Sequence, residues 1–266
     1  MKKTILLTGS TDGIGFEAAK ILVGLGYTVL LHGRSQQKLA DVKAVLSDIE
    51  GAGELETYQA DLSSSEQVAA MSAAVIEHHT KLDVLINNAG VFKLPNALTP
   101  QGHDLRFVVN TIAPYDLTQR LLPIIPADGR VINLSSAAQA PVDLDALSGK
   151  KQLSDDQAYA QSKLAITMWS FQLAQILGED GPAIIAVNPA SFLASKMVKE
   201  AYGVDGNDLS IGAKILVQLA LNAEHASDSG KYFDNDQRRF ASPHPDALNT
   251  AKNERLVKMI ETILAS

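Results

Sequence analysis

The residues best equipped for chemistry in this chain are Tyr159 and Lys163, in the run Tyr159-Ala160-Gln161-Ser162-Lys163. On a helix, that i,i+4 spacing stacks a phenol and an ammonium on one face. A lone phenol, with a pKa of about 10, exchanges protons poorly near neutrality. A neighbouring cation stabilises the phenolate, each pKa unit corresponding to about 1.4 kcal/mol, so the pair could make tyrosine a working acid and base. Taken alone, the same spacing more often means a tyrosine packed beneath a solvated lysine stem.

Such a pair needs a scaffold and a reactant beside it. Thr4 to Thr8 form a short apolar run leading into Gly9-Ser10-Thr11-Asp12-Gly13-Ile14-Gly15, and a helical pattern follows through Ala18, Ala19, Ile21, Leu22 and Leu25. This reads as strand, glycine turn, helix. Glycines let the backbone approach a pyrophosphate, whose charge is favoured at the helix N-terminus by free N–H groups and the dipole. The spacing differs from the Gly-x-Gly-x-x-Gly fingerprint. Alone, it fits a tight strand-to-helix connection as well as a nucleotide site.

Apolar runs near 3–8, 27–32, 55–60, 83–87, 130–135, 183–187 and 231–233 alternate with helical segments. The pattern predicts an α/β fold: a Rossmann-type doubly wound parallel sheet of about seven strands with helices on both faces. Right-handed crossovers then bring the loops after the strands to one edge, where ligands of such sheets bind. With 266 residues, 46% of them hydrophobic, the chain can build one large core, and the expectation is a single domain over 1–266.

Composition narrows the chemistry. The absence of cysteine removes disulfides, thiol catalysis and cysteine metal sites, and the six histidines are scattered, so no metal site is expected. A net charge of −7 argues against a nucleic-acid-binding surface. Met1-Lys2-Lys3 followed by Ile5-Leu6-Leu7 is too short for a signal sequence. No stretch approaches the ~18 apolar residues of a membrane span. The expectation is a cytoplasmic protein without a membrane anchor.

Further motifs lie at the predicted strand ends: Asp61-Leu62, Asn87-Asn88-Ala89-Gly90 after Asp83 to Ile86, Ser135-Ser136 after Arg130 to Leu134, and Asn188-Pro189 after a late strand. With the glycine loop, Asn110 and the Tyr159/Lys163 pair, this ordered set resembles the short-chain dehydrogenase/reductase family over essentially the whole chain. The segment Val142-Asp143-Leu144-Asp145-Ala146-Leu147 is similar to the corresponding segment of the retinol-dehydrogenase-like and protochlorophyllide-reductase-like branch.

The resemblance implies a nicotinamide-dependent oxidoreductase interconverting a carbonyl and an alcohol. It implies that Ser136 hydrogen-bonds the substrate oxygen, Tyr159 transfers the proton, and Lys163 holds the nicotinamide ribose and biases Tyr159 toward the phenolate. Adjacent strand residues point to opposite faces, so Ser135 and Ser136 cannot both face a pocket; the family spacing selects Ser136. Asn110 matches the family's asparagine that organises a water-mediated proton route to the lysine, and a polar residue bending a helix is compatible with that role. Gly9 to Gly15 would bind the pyrophosphate, Asp61 and Leu62 the adenine, Asn88, Ala89 and Gly90 the adenosine ribose, and Pro189 the nicotinamide end.

Cofactor preference is readable at Leu30-Leu31-His32-Gly33-Arg34, where an acidic residue would mark NAD(H). Instead Gly33 leaves room and Arg34 offers a charged donor fork suited to a 2′-phosphate, so NADP(H) is expected ahead of NAD(H). An arginine solvated beyond the strand is the alternative. Asp12 departs from relatives with a basic residue there and could instead favour the helix N-terminus.

Pro189-Ala190 departs from the family's Pro-Gly, and alanine does not readily take positive φ, so a different turn is expected. Residues 191–207 resemble the family's substrate lid. Phe92, Leu94, Phe192, Met197 and Tyr202 would make an apolar pocket for a hydrophobic aldehyde or ketone, and each serves core packing equally well. The resemblance also allows a homodimer or homotetramer. The contrasting class is a non-catalytic NADP(H)-binding sensor or partner protein that keeps the fold.

Overall fold

A computed structural model describes residues 2–191, 193 and 206–266. The first half alternates β1 (Thr4–Leu7), α1 (Gly13–Gly24), β2 (Thr28–Gly33), α2 (Gln36–Ser47), β3 (Leu55–Gln59), α3 (Ser65–His78) and β4 (Val84–Asn87). Then α4 (Leu105–Phe107), a π-helical stretch Val108–Ile112 and α5 (Ala113–Leu121) follow without interruption. The second half comprises β5 (Arg130–Leu134), α6 (Leu144–Leu147), α7 (Asp155–Leu177), β6 (Ala183–Asn188), α8 (Leu209–Leu221), β7 (Lys231–Asp234), β8 (Arg239–Ala241) and α9 (Thr250–Leu264).

The strands form one sheet in the order β3-β2-β1-β4-β5-β6-β7-β8. All neighbours are parallel except β7 and β8. The expected seven strands are present within about a residue of their predicted bounds, and β8 is an addition. It is three residues long and returns antiparallel after the polar turn Asn235 to Arg238, so neither length nor patterning announces it.

The sheet is buried on both faces, which is why its strands read as nearly unbroken apolar runs. Period-two alternation divides them between two cores. Leu6, Leu30, Leu85, Val131 and Ile184 face a core completed by α3, α5, α7 and α9, around Trp169. Ile5, Leu7, Val29, Leu31, Ile86, Ile132 and Ile185 face the other, completed by α1, α2 and α8. Full burial of a side chain of this size contributes about 1.5–3 kcal/mol each.

The helices begin where short polar residues cap them: Asp12, Ser35 and Ser64 accept from first-turn N–H groups of α1, α2 and α3. Ser154 and Gln157 form a capping box that starts α7 one turn before Tyr159. Strand order reverses between β1 and β4, so the loops after these strands diverge and open a crevice at the carboxyl edge.

Candidate active site

A cleft of about 420 Å³ occupies that crevice. Its lining brings together Gly9, Thr11 to Gly15, Arg34, Asp61, Leu62, Asn88, Ala89, Gly90, Tyr159, Lys163 and Pro189, residues spread over the whole sequence. Ser10, Asn110 and Ser136 are not in that lining, whereas Ser135, the serine expected to face away from the pocket, is.

Within α7, Lys163 Nζ lies 5.7 Å from the centroid of the Tyr159 ring and donates to the Leu134 carbonyl at 2.8 Å. The lysine is buried, and burial lowers its pKa from 10.5 to about 8. A Cβ on Gly90 would sit 3.4 Å from Asn110 Oδ1 and 3.5 Å from Lys163 Nζ. Asparagine and ammonium therefore flank the same glycine.

Asn110 is at the centre of the π-helical stretch, a widened turn that recurs at functional sites. Its amide accepts from Val91 N–H at 2.8 Å and donates to Val91 O at 2.9 Å and Ser162 Oγ at 3.0 Å. Ser162 in turn donates to the Tyr159 carbonyl at 2.7 Å. One buried side chain thus ties the loop after β4 to the helix carrying the tyrosine. Lower down, Arg106 forms ion pairs with Asp104 and, at the start of α7, Asp155.

Ser135 continues the strand face that meets α7: its hydroxyl donates to the Lys163 carbonyl at 2.8 Å and lies 2.7 Å from Thr167 Oγ1. Parity turns Ser136 the other way, and its hydroxyl accepts from Ala138 N–H at 3.1 Å. The Ser136 carbonyl accepts from Tyr232 Oη at 3.1 Å, fixing the loop at the end of β5.

At the cleft's other end the glycines are steric requirements. Gly9 and Gly13 have φ 66 and 57, and a Cβ on Gly15 would lie 2.1 Å from the Gly9 carbonyl oxygen. Gly13 has nothing within 4 Å of a Cβ position, so the chain leaves open space beside a helix start. That cradle suits a pyrophosphate. Asp12 accepts from Gly13 N–H at 2.7 Å as the cap of α1. Asn88 Nδ2 donates to Thr8 O and Gly9 O at 2.9 and 3.1 Å, stapling β4 to the loop. Ser10 is fully buried, with its hydroxyl on the His32 carbonyl at 3.1 Å.

His32 is a residue that sequence reasoning passed over. Its Nδ1 accepts from Gly9 N–H at 3.1 Å, which leaves Nε2 protonated to donate to Ala60 O at 3.1 Å. Burial lowers its pKa to about 4, so the ring is neutral and bolts the glycine loop to the end of β3. A histidine in an otherwise apolar strand was the available signal.

Gly33 lines the cleft, and its lack of a side chain serves a second purpose: a Cβ there would lie 2.7 Å from Thr11 Cγ2 in the glycine loop. Arg34 lines the cleft together with Lys38, a second cation one helical turn further on that was also overlooked. Asp61 Oδ1 accepts from Ser63 N–H and Oγ–H at 2.9 and 2.7 Å, which fixes its carboxylate at the cleft wall.

Ala190 corrects an expectation. It adopts φ 125 despite its Cβ, so the turn after Pro189 keeps a glycine-like backbone. Phe92 and Leu94 line the cleft, and the Phe92 and Tyr159 rings are 4.5 Å apart. Phe192, Met197 and Tyr202, and most of the lid segment 191–207, lie outside the described residues. Among the described residues no group of acidic and histidine side chains could hold a metal, and no helix is long and apolar enough to cross a membrane.

The family model described as short chain dehydrogenase matches residues 3–203. Human retinol dehydrogenase 13 is 30% identical over 274 residues, covering 94% of this chain and 81% of that protein. Human polyprenol dehydrogenase is 31% identical over 278 residues, covering 97% and 82%. The crystal structure of the angucycline C-6 ketoreductase LanV with bound NADP has a TM-score of 0.69 at 26% identity, over 88% of this chain and 93% of that one. The chain belongs to the short chain dehydrogenase family, in its retinol-dehydrogenase-like branch, and is an oxidoreductase.

Proposed function

We propose that this chain is an NADP(H)-dependent carbonyl reductase or alcohol dehydrogenase for a hydrophobic aldehyde or ketone, with Tyr159 as general acid and base. The observation that carries the reading is the convergence of Tyr159, Lys163 and Gly90 on one cleft, with Asn110 braced behind them. A nicotinamide cofactor bound in this cleft would supply or accept the hydride at the substrate carbon. Gly9, Gly13 and the N-terminus of α1 would hold its pyrophosphate, Arg34 and Lys38 its 2′-phosphate, Asp61 and Leu62 its adenine, and Asn88 to Gly90 its ribose.

During reduction Tyr159 Oη gives its proton to the substrate oxygen while Ser136 hydrogen-bonds that oxygen; oxidation runs the same transfers backward. Lys163 stabilises the phenolate that results and binds ribose hydroxyls, and Asn110 fixes the helix on which both stand. Phe92 and Leu94 supply an apolar wall, and the two human relatives are named as a retinol and a polyprenol dehydrogenase. The chain acts as one unit over 1–266, with 191–207 as lid.

A panel of carbonyl compounds and alcohols, tested with NADPH, NADH and their oxidised forms at 340 nm, is the direct test. Turnover of apolar carbonyls, faster with NADPH than with NADH, is the expected result. Silence across the panel despite tight NADPH binding would replace the reading with a non-catalytic sensor.

A further inference from the structure

The turn after β6 is held in a conformation that its own residues disfavour. Ala190 sits at φ 125, where L side chains are rare, so contacts from elsewhere must keep it there. They come from the β7–β8 hairpin, 45 residues downstream of Ser191. Asp236 accepts the Ser191 N–H on Oδ1 at 2.8 Å and the Ser191 hydroxyl on Oδ2 at 2.6 Å. Asn188 Nδ2 donates at 2.9 Å both to Asp236 Oδ2 and to Asp234 Oδ1. Asn235 Nδ2 donates to the Pro189 carbonyl at 2.9 Å.

The residues on either side of Ala190 are therefore fastened, and Ala190 is left to absorb the strain between them. Burial acts to raise the Asp236 pKa, but the Ser191 and Asn188 donors outweigh it and hold the carboxyl below its ordinary range. Sheet register sets this turn beside the end of β5, where Ser135 N–H donates to Val187 O at 2.8 Å. Pro189 lines the same cleft as Tyr159 and Lys163.

We infer that Asp236 is a positioning residue: through Ser191 and Asn188 it clamps the strained Pro189-Ala190-Ser191 turn as the cleft wall that orients the reactive end of the dinucleotide. It touches no reacting atom. The inference rests on the cofactor reading above, and it explains how an alanine can stand in a turn that otherwise calls for glycine.

Asp236→Asn keeps the side-chain shape, removes the charge and presents an amide to the Ser191 donors. The expected result is a fall in kcat of about tenfold with KM for NADPH changed less than about threefold, because orientation is lost before affinity. The emission of bound NADPH should shift toward that of the free dinucleotide. Adding Ala190→Gly should restore kcat and emission, since glycine holds the turn without strain.

Wild-type emission and turnover in Asp236→Asn, or a loss that Ala190→Gly does not relieve, would overturn the inference. Should Asp236→Asn fail to fold, Ser191→Ala removes one of the two donors. A fall in kcat at unchanged Tm then supports the clamp, and unchanged emission and kcat reject it. If the wild-type protein reduces no carbonyl compound, the proposed reaction fails, and the emission measurements with the Ala190→Gly rescue still decide the role of Asp236.

Discussion

Lys163 Nζ reaches past the Tyr159 ring, 5.7 Å from its centroid, to donate at 2.8 Å to the carbonyl of Leu134 at the end of β5. The ammonium is thereby anchored to the sheet while the phenol is carried by the helix. The distance between the two functional groups is set by how α7 packs on β5. With burial lowering the lysine pKa to about 8, its charge is lost within an accessible range.

For the proposed reduction, kcat/KM for NADPH, which reports ionisations of the free protein, should fall as pH rises through about 8, when the lysine discharges. Steady-state rates from pH 6 to 10 check this, and a flat alkaline limb would separate Lys163 from the reaction. Tyr159→Phe should reduce kcat by at least about a hundredfold, the lower end of a general acid's contribution, while NADPH affinity measured by fluorescence stays within a few-fold.

Arg34 and Lys38 should act together on cofactor choice. Charge-assisted hydrogen bonds of about 1.5–3 kcal/mol correspond to a tenfold to hundredfold loss of NADPH affinity in Arg34→Ala, with NADH affinity nearly unchanged. Lys38→Ala should move both affinities in the same sense by less. Titrations with each cofactor decide it, and equal weakening of NADPH and NADH by Arg34→Ala would remove the basis for NADP(H) preference.

His32 ties stability to acid. Its folded pKa of about 4 lies below the ordinary 6.5, so the neutral ring favours the fold. That contribution is complete above pH 6.5 and is lost as pH falls through the window down to about 4, at up to about 1.4 kcal/mol per pH unit. Urea denaturation across the window should show this slope in the parent protein and a shallower one in His32→Asn. An identical slope in both would assign the acid sensitivity elsewhere.

Arg106, fully buried between Asp104 and Asp155, braces the helix of Asn110 against the start of α7. Arg106→Met should cost about 3 kcal/mol, the lower end for breaking a buried ion pair, because the Asp155 side chain is half exposed and re-solvates. The midpoint of chemical denaturation reads it. A change within about 0.5 kcal/mol, typical of a surface site, would contradict the brace.

Much of this arrangement was legible because parallel strands covered on both faces announce themselves as apolar runs, and the runs of β1 to β6 end in or lead into residues that line the cleft. Tyr159 and Lys163 needed only helical spacing to be paired. What escaped notice depends on contacts between segments distant in sequence. His32 matters because Gly9 and Ala60 arrive on either side of it, and Gly33 because Thr11 packs over it. Local propensity also misjudged Ala190, whose backbone is dictated by Asp236. β8 was too short and too polar at its turn to carry any periodic signal.

The π-helical stretch around Asn110 fits one more residue into its turn than an α-helix would. Forcing this stretch into regular α geometry while keeping that residue would swing every side chain on one flank by up to about 100° relative to the other, one residue's share of an α-helical turn. Either the amide loses Ser162 and Val91, or Arg106 loses Asp155. Engineering the protein for rigidity by straightening this segment would therefore trade away the link between its two functional halves, and homologous chains spliced here must exchange the segment whole.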